Sequence, residues 1–289
     1  RSIGETKIPL QALAISGVLN VALNLVFVIV FKMTVNGVAI ATVLSNAISA
    51  IVLFRRLCRT DHVIRIKRTE FKFDAGVAGR ILRIGLPAGI QGAVFAVANI
   101  VIQSAINSLG TIVMAASSAA LNIEIIVYDI MNSFSQACTT FTGQNYGAGD
   151  LKRCKKSLYL CIIEAAVACA VSIMLILFFG KSLLALFNSD PRVVEIGYTR
   201  LLIIFSAYTF SMLYENMSGY LRGFGLSLVP AILTVFGVCV VRLVWIYTVL
   251  PAHRTITTIM LVYPLSLATT AVLIFIALMV YRPSKRYQK

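Results

Sequence analysis

Glu124, Asp129, Glu164, Glu215 and Arg242 are ionisable side chains set within, or near the ends of, long apolar runs. A carboxyl withdrawn from water prefers its protonated form, as a proton carrier needs, whereas a neighbouring cation such as Arg242 would keep it ionised. Either state can attract a cationic substrate. The opposing reading is structural: a buried Glu–Arg pair that only sets helix packing, or a side chain at a helix end reaching back to the membrane interface. Glu164 and Glu215 are the most open to that objection, Glu124 and Asp129 the least.

Uncharged polar residues recur at helical spacing around these groups. Asn99, Gln103 and Asn107 follow one another at i, i+4 and i+8, with Gln91 slightly off that line after Pro87. In the next run Ser118, Asn122, Asp129, Asn132 and Gln136 share one face, and Glu124 and Tyr128 share another. Ser16, Asn20 and Asn24 stripe the first run, and Thr42, Ser45, Asn46 and Ser49 the second. Polar groups inside a bilayer need a partner or a wet cavity. Such faces therefore line a cavity or bond helix to helix with the help of small residues, and for Asn, Ser and Thr the second role takes precedence. The candidate substrate- and ion-binding set is Gln91, Asn99, Gln103, Asn122, Glu124, Asp129, Asn132, Glu215 and Arg242.

The elements that must hold these residues are membrane helices. Of 289 residues, 59% are hydrophobic and 13% charged, a composition too apolar for an ordinary soluble domain. About 20 apolar residues span a bilayer as a helix, and the blocks near 9–31, 36–55, 84–108, 112–138, 157–179, 194–215, 228–250 and 257–281 approach or exceed that. Runs such as LNLVFVIVF do not alternate as barrel strands would. The expected fold is all-α, an integral membrane protein with eight spanning helices.

The net charge of +15 is topological and does not indicate nucleic-acid binding. Alternating eight helices from an inside N-terminus gathers nearly all Lys and Arg on one side and leaves Lys32, Lys181, Arg192 and Arg254 on the other. Both ends of the chain are then cytoplasmic. None of the six cysteines falls in an outside loop or in a CxxC pair, so neither a disulfide framework nor a zinc site is indicated. The two histidines, His62 and His253, lie in loops, which disfavours intramembrane His chemistry and His-ligated metal.

RSIGETKIP at the start of the chain returns as RGFGLSLVP at 222–230, aligning Arg1, Gly4 and Pro9 with Arg222, Gly225 and Pro230. Each phrase precedes a helix, a short outside loop and a second helix. Gly supplies the turn and Pro is tolerated in the first turn of the helix that follows. The copies start on the same side, so the repeat is parallel, as in transporters made of two like-oriented halves. Residues 1–57 are then the last two helices of one six-helix unit, 84–289 a complete second unit, and 58–83 a basic connector whose interleaved apolar residues suit an inner-leaflet helix. Four earlier helices are expected ahead of Arg1, making the chain a fragment.

The stretches RSIGETKIPLQALAISGVLNVALNLVFVIV, VNGVAIATVLSNAISA, GLPAGIQ, FTGQNYGAGD and GYLRGFGLSLVPAI together resemble the multidrug and toxic compound extrusion (MATE) family, over essentially the whole chain. The resemblance implies a twelve-helix antiporter of two six-helix lobes in the bacterial cytoplasmic membrane. Such a protein exports amphipathic, often cationic compounds against Na⁺ or H⁺, with no cofactor and as a monomer. By position, Gln91 stands where some members carry a cation-binding Glu, and Glu215 matches an acidic residue of the fourth C-lobe helix.

Two other functions compete. A lipid-linked oligosaccharide flippase of the same superfamily would need a more cationic cavity, yet Arg242 is the clearest mid-membrane cation and Arg200 lies near the outer surface. A polytopic enzyme would need a nucleophile, base or metal-ligand constellation at one depth, and the sequence offers none.

Overall fold

The structure, a computed structural model, describes residues 6–60, 65 and 74–283. Arg1 and Gly4 of the first repeat copy, His62 and most of the basic connector lie outside the described residues, as do Lys285, Arg286 and Lys289. Two compact units emerge, Arg1–Ala78 and Gly79–Lys289.

The first unit is a helical hairpin. Helix α1 (Lys7–Leu25) continues into a π-helical turn, Val26–Val30, and α2 (Val35–Arg59) returns beside it. Gly37, Ala41, Ser45 and Ser49 recur every four residues on the buried face of α2, so the backbones approach closely enough for direct polar contact. Ser16 donates to the Ser45 carbonyl at 3.0 Å, and Asn20 donates to Thr42 and Ser45 at 3.3 and 3.2 Å. Ser49 donates to the Ala12 carbonyl at 3.4 Å. The polar stripes of these two helices hold them together.

The second unit contains α3 (Ala75–Asn107), which begins just before the unit boundary, then α4 (Thr111–Gly147), α5 (Leu151–Ala185), α6 (Pro191–Ser206) and α7 (Tyr208–Gly223). After them come α8 (Leu228–Thr234), a π-helical stretch (Val235–Val240), α9 (Val241–Thr248) and α10 (Ile256–Tyr281). Among the described residues seven helices are long and apolar enough to cross a membrane, counting α1 and α8–α9 with their π segments, and α6 and α7, bent by 47°, make an eighth candidate when taken as one span. The expectation of an all-α membrane protein with eight spans stands. Helix α4 sits centrally against α5, α6 and α7, and α10 covers α6 and α7. Its core includes Ile106, Met131, Leu201, Ile204, Leu221 and Ile259. Phe178 and Leu186 point outward, as lipid-facing residues do.

The motifs stop and start helices. Gly225 adopts φ +80°, with its N–H bonded to the Arg222 carbonyl and that of Leu226 to the Leu221 carbonyl, the paired bonds of a Schellman stop. Gly149 at φ +77° ends α4 in the same way, and Asp150 beside it caps α5 by accepting from the Arg153 N–H at 2.9 Å. Both repeat prolines fall on the third residue of a helix, Pro9 in α1 and Pro230 in α8. That position lacks an intrahelical partner for its N–H, so the missing donor costs nothing. Several boundaries differ from expectation. Helix α4 runs on through FTGQNYG past the block that ends near 138, α5 begins at Leu151 ahead of the block that starts near 157, and α3 starts within the stretch assigned to the connector.

Helices α4 and α7 run parallel in close contact. A Cβ on Gly219 would fall 2.5 Å from the Ser135 carbonyl oxygen, and one on Gly223 would fall 2.6 Å from Thr142 Cβ. Thr139 uses the proximity to donate to the Gly219 carbonyl at 3.0 Å. Gly219→Ala is expected to cost about 1–3 kcal/mol by overpacking, read as a lowered thermal midpoint of the parent protein. Gly17→Ala, with nothing within 4 Å of the added carbon, should leave the midpoint nearly unchanged.

Candidate ion- and substrate-binding site

Helix α4 presents Glu124, Tyr128 and Ser135 toward α6 and α7, and its carboxylate and the one on α7 are held very differently. Glu124 is gripped by Arg200 of α6, with Nε to Oε1 at 2.6 Å and Nη2 to Oε2 at 3.0 Å. The two side chains are only 7% and 3% exposed. Tyr208, at the head of α7, donates to the Glu124 carbonyl at 3.5 Å. This is a bidentate pair with its charge satisfied, and the guanidinium beside Glu124 is Arg200, not Arg242.

Glu215 lies farther along α7, opposite Tyr128, one turn on from Glu124, and its contacts are loose. The Tyr128 hydroxyl donates to Oε1 at 3.4 Å, and Arg222 approaches Oε2 only to 3.7 Å. Ser135 relays between backbone and cation: it donates to the Glu215 carbonyl at 2.7 Å and accepts from Arg222 at 3.0 Å. Contacts this long are weak beside the 2.6 Å grip on Glu124, and they leave carboxyl lone pairs for another ligand. Glu215 is 13% exposed, whereas Tyr128 beside it is 39% exposed.

The other candidates divide by exposure. Asp129, next to Tyr128, is exposed, as are Asn99 and Asn122, while Gln91, Gln103 and Asn132 are half-buried. Gln103 donates to Asn107 at 2.8 Å and Asn122 to the Ser118 carbonyl at 2.9 Å, bonds that stay within one helix. Arg242 is buried as well, donating to Ser266 at 3.0 Å with its guanidinium 4.2 Å from the centre of the Tyr263 ring. Geometry thus pairs Glu215 with Tyr128 and Glu124 with Arg200. Ser135 and Arg222 complete the cluster and were not among the candidates. Arg222 follows Glu215 by seven residues on the same face of α7, and in sequence its charge reads as one more loop cation under the positive-inside pattern. Among the described residues no three His, Cys, Asp or Glu side chains converge as a metal ion would require.

The sequence model of the MatE family matches residues 87–248, more than half of the chain. The protein belongs to the MATE family. Among relatives, "Probable multidrug resistance protein YpnP" of Bacillus subtilis is 31% identical over 84% of this chain and 54% of its own length. "Probable multidrug resistance protein NorM" of Thermotoga maritima is 28% identical over 84% and 53%. A crystal structure of MATE in complex with MaL6 superposes with a TM-score of 0.86 at 19% identity, covering 96% of this chain and 63% of that one. This MATE chain spans about half the length of the curated relatives it matches.

Proposed function

We propose that the parent protein is a multidrug efflux antiporter that exports amphipathic, often cationic compounds in exchange for H⁺ or Na⁺. Residues 1–57 would close an N-lobe, 58–83 connect the lobes, and 84–289 form a six-helix C-lobe of a twelve-helix monomer in the bacterial cytoplasmic membrane, with both ends of this chain cytoplasmic. The observation carrying the reading is the loosely held Glu215 carboxyl between Tyr128 and Arg222. A coupling ion competing with Arg222 for that carboxylate would bias one conformer, which is coupling by differential affinity. Asp129 and the exposed or half-buried polar residues Gln91, Asn99, Gln103, Asn122 and Asn132 would supply substrate contacts, with no catalytic step and no nucleic-acid partner.

The cations support this reading over the flippase. Arg200 is committed to Glu124, and Arg242 to Ser266 and the Tyr263 ring. Both are already engaged within the helix bundle. The test is reconstitution of the full-length parent in proteoliposomes, following a fluorescent organic cation under an imposed Na⁺ gradient, an H⁺ gradient or neither. Movement under one gradient alone is expected and identifies the ion. A dye that redistributes equally under all three removes the antiport reading.

A further inference from the structure

The α1–α2 hairpin carries a cleft of about 380 Å³ that the transport reading does not use. Its walls come from matching helical faces, with Ile8, Gln11 and Ile15 on α1, and Val52, Arg55, Arg56 and Arg59 on α2. Ile8, Ile15 and Val52 give it an apolar body, and three guanidiniums crowd the end where α2 finishes. Arg55, Arg56 and Arg59 are all exposed among the described residues, and residues 6–60 contain no Asp or Glu. The nearest acidic residues in sequence, Glu5 and Asp61, lie outside the described residues. Topology accounts for arginines at this end of the span. It does not account for an apolar groove opening between two helices beneath them.

A groove that is hydrocarbon-like along its length and triply cationic at its mouth is complementary to one class of molecule in a bilayer. We infer that the cleft seats an anionic phospholipid, with its phosphate held by Arg55, Arg56 and Arg59 and an acyl chain lying along Ile8, Ile15 and Val52. Guanidinium forks match phosphate oxygens in pairs, and basic pockets between membrane helices hold acidic headgroups in the same way. Gln11, inside the cleft, supplies an amide donor at the level of the ester carbonyls.

The test is native mass spectrometry of the purified full-length parent, titrated with phosphatidylglycerol, phosphatidylcholine or inorganic phosphate. Phosphatidylglycerol should be retained in preference to the other two. Arg55→Gln/Arg56→Gln/Arg59→Gln should weaken its retention about a hundredfold. The charge-matched variant Lys152→Gln/Lys155→Gln/Lys156→Gln, altered on α5, should retain it. Val52→Trp keeps every charge but fills the groove, so it should also lose the lipid, and it decides the matter if the triple arginine variant does not fold. Equal loss in both charge variants would mean only bulk attraction to basic residues. Retention by Val52→Trp would mean there is no seat, and displacement of the lipid by inorganic phosphate would mean an anion site without an acyl groove. Any of these overturns the assignment.

Discussion

Glu215→Gln in the full-length parent is expected to lower gradient-driven dye accumulation about 5- to 150-fold, the range that coupling free energies of 1–3 kcal/mol span, while leaving the folded protein nearly as stable. The expectation of retained stability comes from distances. Tyr128 and Arg222 approach its side-chain oxygens no closer than 3.4 Å, and its backbone carbonyl, which Ser135 grips at 2.7 Å, survives the substitution. A carboxamide can keep the tyrosine contact but cannot carry the charge that a coupling ion or proton must meet. Tyr128→Phe, which removes only the 3.4 Å hydroxyl contact, should produce a smaller defect in the same direction. The measurement is efflux per folded molecule, normalised by size-exclusion profile. Undiminished efflux by Glu215→Gln would remove the ion site from α7.

Glu124→Gln should do the reverse and damage the fold before it damages transport. Removing one member of a buried ion pair strands the other, at a cost of about 3–5 kcal/mol, and Arg200 is the member left stranded, 3% exposed among apolar residues. Replacing both partners with apolar residues of similar size, Glu124→Leu with Arg200→Met, should recover most of that loss, because a well-packed apolar pair often equals a buried salt bridge. Thermal denaturation of the parent, Glu124→Leu, Arg200→Met and the double variant closes the cycle and gives the interaction energy. A double variant no more stable than the singles, or one that is stable but transports nothing, would make Glu124 a functional carboxylate after all.

The contrast between these two glutamates shows what could and could not be read from residue order. Both are acidic residues in apolar helices, and local pattern does not distinguish them. Arg200 meets Glu124 across 76 positions of chain, and only the packing of α6 on α4 brings them together. The eight spans were legible because hydrocarbon thickness imposes a length on every helix that crosses it. The polar ties between α1 and α2 were legible because Ser16, Asn20, Ser45 and Ser49 keep to helical spacing. Helix ends were less so: FTGQNYG looks like a loop by composition, yet α4 continues through it until Gly149 supplies the left-handed residue that stops it. The bend between α6 and α7 was invisible. No proline or glycine marks Ala207, and the deviation coincides with Tyr208 reaching across to the Glu124 carbonyl.

That bend is pinned on both sides. Before it, Arg200 anchors α6 to α4; beyond it, Gly219 and Gly223 let α7 lie flush on Ser135, Thr139 and Thr142 of the same helix. A kink tethered to one strut at either end behaves as an angle bracket rather than a hinge. The corner at Ala207 therefore has its angle set by α4 alone, and the Arg200 and Gly219 ends of the bend are spaced by that one helix.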